Sequence, residues 1–393
     1  MMPHVKVGIL LAPEIRFSVS GADHLIYYKD GLLHCDGVSQ SAFSFNLDSS
    51  SPFTLHDVVI GIGFHWQRTE SQTFHGILHF IIENGMVRAI NEIGVEDYLL
   101  SVISSEMSGS ASPEFLKAHA VISRSWLLNR ITTTKNSQNT ISHITPHSLI
   151  RWYDHDDHTL FDVCADDHCQ RYQGISRARQ DAERWAKVSD VIRDTRGEVL
   201  TYNDTVCDAR FSKCCGGVLE EYESCWDDTH HPYLITKADP YCNTRDTRIL
   251  SQVLNGYDQE TVDFYRWTVE YTFPELSSLI SRKSGIDFGQ VLELTPVKVG
   301  PSGRIIELTI RGTKRTMTVG KELEIRKWLS PSHLYSSAFT VERTDHSFIL
   351  HGKGWGHGVG LCQIGAAVMG DKGFTYQQIL SYYYPNSKIQ TKW

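Results

Sequence analysis

The sequence predicts an α+β protein in which β-rich lobes surround a helical core, and three observations carry that prediction. Between Val95 and Arg130, apolar residues recur at three-and-four spacing along two successive helices. On both sides lie short runs rich in β-branched and aromatic residues, punctuated by Gly, Asn and Asp turns. Near the C-terminus, glycine occupies every second position from Gly352 to Gly360. At 393 residues the chain exceeds what one simple core usually holds. The expected organisation is a β-rich region over 1–86 and a second region over 87–393. The latter contains a Cys- and His-bearing segment at 150–175 and a β-rich sub-lobe at about 262–345.

Hydrophobic content of 41% and charged content of 21% are those of an ordinary soluble globular protein. The net charge of -8, with no Lys/Arg run able to neutralise a series of phosphates, argues against nucleic acid as a partner. The opening MMPHVKVGILLAPEIRFSV lacks a basic segment followed by an apolar core, so it reads as a strand over Val5 to Leu11 rather than a signal peptide. No apolar run reaches the ~18 residues needed to span a membrane. Nine cysteines, odd in number and mostly solitary, fit a reduced or metal-binding inventory better than a disulfide framework.

In chain order, the strands up to Ile93 turn at Asp30-Gly31 and Asn84-Gly85. A helix follows whose buried face is Val95, Tyr98, Leu99, Val102 and Ile103, and Glu106 continues that face. A carboxyl among apolar neighbours can serve as a general acid, or it can be tied to Lys117 or Arg124 for structure alone. Ser112 and Pro113 start the second helix as N-cap and first helical residue. Lys117 and Arg124 lie seven apart on one stripe of it. A loop over Thr132 to Pro146 comes next, then a polar helix over Ser176 to Asp190 and a strand pair turning at Asn203-Asp204. From Tyr265 the order is strand, helix, three strands, then a helix over Glu322 to Leu329. Thr375 and Gln378 form a capping box for the last helix.

If the run from His351 to Ala366 is extended, its glycines line one face and His351, Lys353, Trp355 and His357 the other. Neither a phosphate loop nor a dinucleotide fingerprint has this spacing. The alternatives are a ligand-facing row and a glycine-lined packing corner. His158, Cys164 and Cys169 fall within twelve residues, with His155 and His168 close by. Two thiolates and an imidazole suit tetrahedral zinc in a structural role, the alternative being free cysteines and exposed histidines. For the fourth ligand, His168, water, Cys214 or Cys215 all stay open.

Several of these stretches together resemble the stage II sporulation protein D and LytB amidase-enhancer family. They are Glu106-Met107, the run Glu114 to Ala120, Arg124-Ser125-Trp126, Gly354 to Gly360 with Gln363, Gly365 and Ala366, and Tyr382 to Pro385. The segment Cys169-Gln170-Arg171-Tyr172 is similar to that following the zinc ligands of sporulation members, which implies zinc at His158, Cys164 and Cys169. The departures are His119, Ser125, Trp126, Cys214-Cys215, Leu361, Cys362 and Ile364, where relatives carry other residues. The resemblance implies a lytic transglycosylase that cuts peptidoglycan glycan strands between N-acetylmuramic acid and N-acetylglucosamine. Glu106 would act as acid and then base, closing a 1,6-anhydro ring. Lys117, Arg124, Trp355, His357 and Gln363 would contact substrate. It implies a place in the cell envelope, while the chain's opening is read either as that of a trimmed mature form or as that of a protein that stays inside the cell. The rival expectations are a non-catalytic enhancer that partners a cell-wall amidase, and an ordinary hydrolase pairing Glu106 with a second acid such as Asp97.

Overall fold

The computed structural model describes residues 2–47, 51–62, 67–133, 142–153, 158–166, 168–176, 179, 181–254 and 264–393. Turn chemistry placed three of the hairpins: Asp30-Gly31, Asn84-Gly85 and Asn203-Asp204 all adopt positive φ, which these residues tolerate and a tight hairpin requires. Among the described residues the fold is mixed α+β and β-rich. Its helices are α1 (Val95–Glu106), α2 (Pro113–Thr133), α3 (Ala182–Asp194), α4 (Thr247–Val253), α5 (Phe273–Ser284), α6 (Glu322–Trp328), α7 (Gln363–Asp371) and α8 (Tyr376–Tyr383). None of them is long and apolar enough to cross a membrane.

The chain forms two compact units that interleave in sequence. One comprises Met1–Lys135, His158–Val199 and Ile389–Trp393, the other Asn136–Asp157 and Leu200–Lys388. The division expected near residue 86 therefore falls inside the first unit, where Met86–Gly94 pairs with both Ile77–Glu83 and His4–Ala12.

In the first unit a five-stranded sheet runs in the order Val163–Cys164, His4–Ala12, Met86–Gly94, Ile77–Glu83, Ala42–Asn46. A six-stranded sheet holds the remaining N-terminal strands. Helix α1 leaves directly from Gly94, and the expected face Val95, Tyr98, Leu99, Val102, Ile103 is buried. The Ser112 hydroxyl accepts from the Phe115 amide at 3.3 Å, capping α2 as its position suggested. Helix α2 is buried almost all round from Phe115 to Leu128, so its apolar residues form no single stripe. Helix α3 begins later than the polar pattern implied, because Asp181 accepts from the Arg184 amide at 3.1 Å and fixes the start.

In the second unit, α5 and α6 contact a five-stranded sheet that includes Val291–Val299, Ile305–Gly312 and Thr316–Gly320. Leu276, Ile280, Phe288, Leu308, Val319 and Trp328 fill the core there. A three-stranded sheet of Arg266–Thr272, Ser347–Lys353 and Phe339–Arg343 completes the frame that carries the glycine run.

The glycine run departs from its expected form. Its strand stops at Lys353, and Gly354, Gly356, Gly358 and Gly360 have φ of 80°, 91°, 76° and 70°. Alternate left-handed residues cannot form an extended strand, so glycines do not line one face and side chains the other.

Candidate functional site

In the first unit the site is assembled at the end of α1. Glu106 closes that helix and is 8% exposed. Its Oε1 accepts from the Arg171 amide at 3.2 Å. The neighbouring residues fasten the same segment to the same helix: the Gln173 amide donates to Ser105 Oγ at 3.2 Å, and Ser101 Oγ donates to the Gly174 carbonyl at 2.9 Å. Tyr98 donates to Gln170 Oε1 at 3.1 Å, and its ring stacks on Tyr172, which stacks in turn on Phe74. Tyr172 donates to Asn91 Oδ1 at 2.5 Å. The stretch 170–174 thus lies along α1 and delivers a backbone donor to the Glu106 carboxyl.

Immediately before that stretch comes the metal candidate. His158, Cys164, His168 and Cys169 bring one donor atom each within 4.8 Å of one another. The Cys164 amide donates to Cys169 Sγ at 3.4 Å, and His168 Nδ1 lies 3.4 Å from the same sulfur. A hydrogen bond with Cys169 and then burial push the Cys164 thiol up to about 11, against the pull of His158 and His168. His158 Nε2 is buried without a hydrogen-bond partner among the described residues. A buried orphan nitrogen beside two thiols and a second imidazole is the donor chemistry of a closed tetrahedral site, so the residues fit zinc. His168, one of the fourth ligands that the spacing left open, lies within that group. His155 lies outside the described residues.

Two of the residues expected at the substrate have other employment. Arg124 is fully buried, and its Nη2 and Nε donate to Glu96 at 2.6 and 3.2 Å while Nη1 donates to the Glu198 carbonyl. Glu96 also accepts from the Gly197 amide and from Trp393 Nε1, both at 3.0 Å. That arrangement braces α1 against α2, and it is where the structure places the Arg124 side chain that was expected at substrate. Lys117 pairs with Asp194 at 3.1 Å, linking α2 to α3. Asp97 sits in the first turn of α1, nine residues before Glu106 and roughly 13 Å from it along the axis. Paired carboxyls of glycoside hydrolases stand roughly 5 to 10 Å apart, so Asp97 is misplaced for that role.

In the second unit the glycine run winds around Arg304, a residue to which periodicity drew no attention. Arg304 is fully buried; its Nε and Nη2 donate to the Gly356 carbonyl at 3.1 and 3.0 Å, and Nη1 donates to Ser302 Oγ and the Cys215 carbonyl. Ser302 Oγ donates to the fully buried Glu220 at 2.6 Å. Trp355 remains partly exposed, its ring near Tyr335 and Phe264. His357 packs edge-on against Trp226 and accepts from the Val359 amide at 3.0 Å. Burial, then Arg210 and Arg304, hold its imidazole well below the usual range. Gln363, expected at substrate, is 1% exposed at the start of α7.

Two family models match the chain: Stage II sporulation protein over residues 83–202, and Domain of unknown function (DUF8618) over 220–360. An uncharacterised protein of Brachyspira hyodysenteriae is 30% identical over 314 residues, covering 79% of this chain and 70% of its own. The stage II sporulation protein D of Bacillus subtilis is 26% identical over 305 residues, 77% of this chain and 76% of its own. The amidase enhancer of the same organism is 26% identical over 325 residues, 74% of this chain but 40% of its own. With the Glu106-Met107 helix end, the Cys169 to Tyr172 segment and the glycine run all in place, the chain belongs to the stage II sporulation protein D and amidase-enhancer family.

Proposed function

We propose that this protein is a peptidoglycan lytic transglycosylase with Glu106 as its catalytic residue. The observation that carries the reading is the seat of Glu106: a carboxyl at a helix end, held by the Arg171 amide, with Asp97 too distant along the helix to be a second acid. One carboxyl is enough when the nucleophile belongs to the substrate. Glu106 gives its proton to the glycosidic oxygen as the C1–O bond of N-acetylmuramic acid breaks. The resulting carboxylate then takes the proton of the 6-hydroxyl as that oxygen bonds to C1, closing the 1,6-anhydro ring without consuming water. The Arg171 amide would keep one carboxyl oxygen of Glu106 in place through both transfers.

His158, Cys164, His168 and Cys169 would hold zinc, which with four protein ligands supplies rigidity rather than an activated water. The residues of the loop then set the position of the Arg171 amide. Trp355 offers a partly exposed indole on which a pyranose ring could stack. Glycan strands of the bacterial cell wall are the proposed substrate, and the cell envelope is the expected place of action.

Incubation with purified sacculi followed by mass spectrometry of the products tests this reading. Anhydro-muropeptides are expected; reducing ends would indicate a hydrolase. A second reading, a non-catalytic amidase enhancer, is favoured by the equal identity to the two Bacillus relatives. Intact strands, together with stimulation of an added amidase, would establish it instead.

A further inference from the structure

The second unit gathers thiols that the glycan chemistry does not use. Cys214, Cys215, Cys242 and Cys362 are all fully buried, and so is Asp239. They come from stretches far apart in the chain. Cys214 and Cys215 follow the short strand Phe211–Ser212, which pairs in parallel with Leu361–Cys362, placing the Cys215 amide 3.3 Å from Cys362 Sγ. Cys242 and Asp239 follow the strand Lys237–Ala238, which pairs with Val218–Leu219. Cys215 Sγ lies 3.5 Å from Cys242 Sγ and 3.3 Å from Asp239 Oδ2. One donor atom each from Cys215, Asp239, Cys242 and Cys362 falls within 4.8 Å of the others.

We propose that Cys215, Cys242, Cys362 and Asp239 form a second metal site, buried and closed, for one thiophilic divalent cation such as zinc. The spacing suits a single ion. With a metal–sulfur length of about 2.3 Å, two tetrahedral sulfur ligands lie roughly 3.8 Å apart. Three sulfurs and a carboxylate oxygen are a donor set that zinc accepts. The surroundings provide for the negative charge. Cys362 is the N-cap residue of α7 and its sulfur receives the Cys215 amide at 3.3 Å, so the thiol lies at the positive end of that helix. Arg304 donates to the Cys215 carbonyl. The carboxylate is oriented by the Tyr241 amide at 2.9 Å and the Tyr383 hydroxyl at 3.1 Å, as outer partners of metal ligands are. Gly365 makes room for it, since a Cβ there would lie 2.5 Å from Asp239 Oδ2. The site is independent of the proposed glycan chemistry and of whatever the His158 loop binds.

Elemental analysis of the full chain, purified without chelators, tests the assignment. Cys242→Ser should lower zinc by about one equivalent relative to wild type, whereas Cys164→Ser should leave the equivalent that depends on Cys242. Zinc content unchanged in Cys242→Ser overturns the proposal. Should that variant fail to fold, X-ray absorption on the Cys164→Ser protein decides: its remaining zinc should show about three sulfur ligands near 2.3 Å and one oxygen near 2.0 Å. Absence of zinc from that protein, or a Cys215–Cys242 disulfide in the non-reduced wild type by intact-mass and peptide analysis, overturns it equally.

Discussion

A Cβ on residue 358 would sit 2.4 Å from the Arg304 guanidinium carbon, so the glycine there leaves room that the arginine 54 positions earlier fills. The guanidinium cannot swing away without giving up its bonds to the Gly356 and Cys215 carbonyls and to Ser302. Gly358 also has φ of 76°, where any other residue is strained. Gly358→Ala should therefore lower stability by roughly 2 to 4 kcal/mol, from overpacking and left-handed strain together. Chemical denaturation measures it, and a loss under about 0.5 kcal/mol, the range of neutral surface changes, would show that the guanidinium is free to move.

Glu106→Gln should leave the fold nearly unchanged, because an amide oxygen can still accept from the Arg171 amide. It cannot exchange a proton with the glycosidic oxygen, so release of anhydro-muropeptides should fall by about 10²- to 10⁴-fold. A variant that cleaves sacculi at the wild-type rate would remove Glu106 from the mechanism.

Cys164→Ser and Cys169→Ser should each lose the zinc held at the loop and lower the melting temperature. Because residues 170–174 are fastened to α1, activity should fall in the same variants although Glu106 is untouched. Elemental analysis, thermal unfolding and sacculus digestion on one preparation check all three; zinc-free wild-type protein with full activity would contradict the prediction.

Arg124→Ala leaves Glu96 buried with its cationic partner gone, and should cost about 3 to 5 kcal/mol. The cost should appear in unfolding, while the Michaelis constant of the protein that remains folded stays the same. A raised Michaelis constant with unchanged stability would restore Arg124 to the substrate.

Trp355→Ala should weaken binding to soluble glycan strands by roughly 1 to 3 kcal/mol, on the scale known for ring stacking. As the indole is only partly buried, its removal should cost less stability than the roughly 3 to 5 kcal/mol of a core tryptophan. Paired binding and melting measurements decide it. Normal glycan binding by the folded variant would make Trp355 a packing residue.

The buried face of α1, the Ser112 cap, the capping box at Thr375, and the hairpins at Asp30-Gly31 and Asn84-Gly85 were all determined by the sequence itself. Each of these depends on residues within a few positions of one another, where spacing and backbone preference are sufficient. The same local reading misjudged the glycine run, because alternation suggests a strand unless φ is known, and φ here is set by packing around a distant arginine. Only tertiary structure decided that Arg124 pairs with Glu96, 28 residues away. Only it brought the Arg171 amide to Glu106 across 65 residues, and Cys215 beside Cys362 across 147. The partners of a buried charge or thiol are chosen by which elements meet in three dimensions, and no periodicity along the chain records that choice.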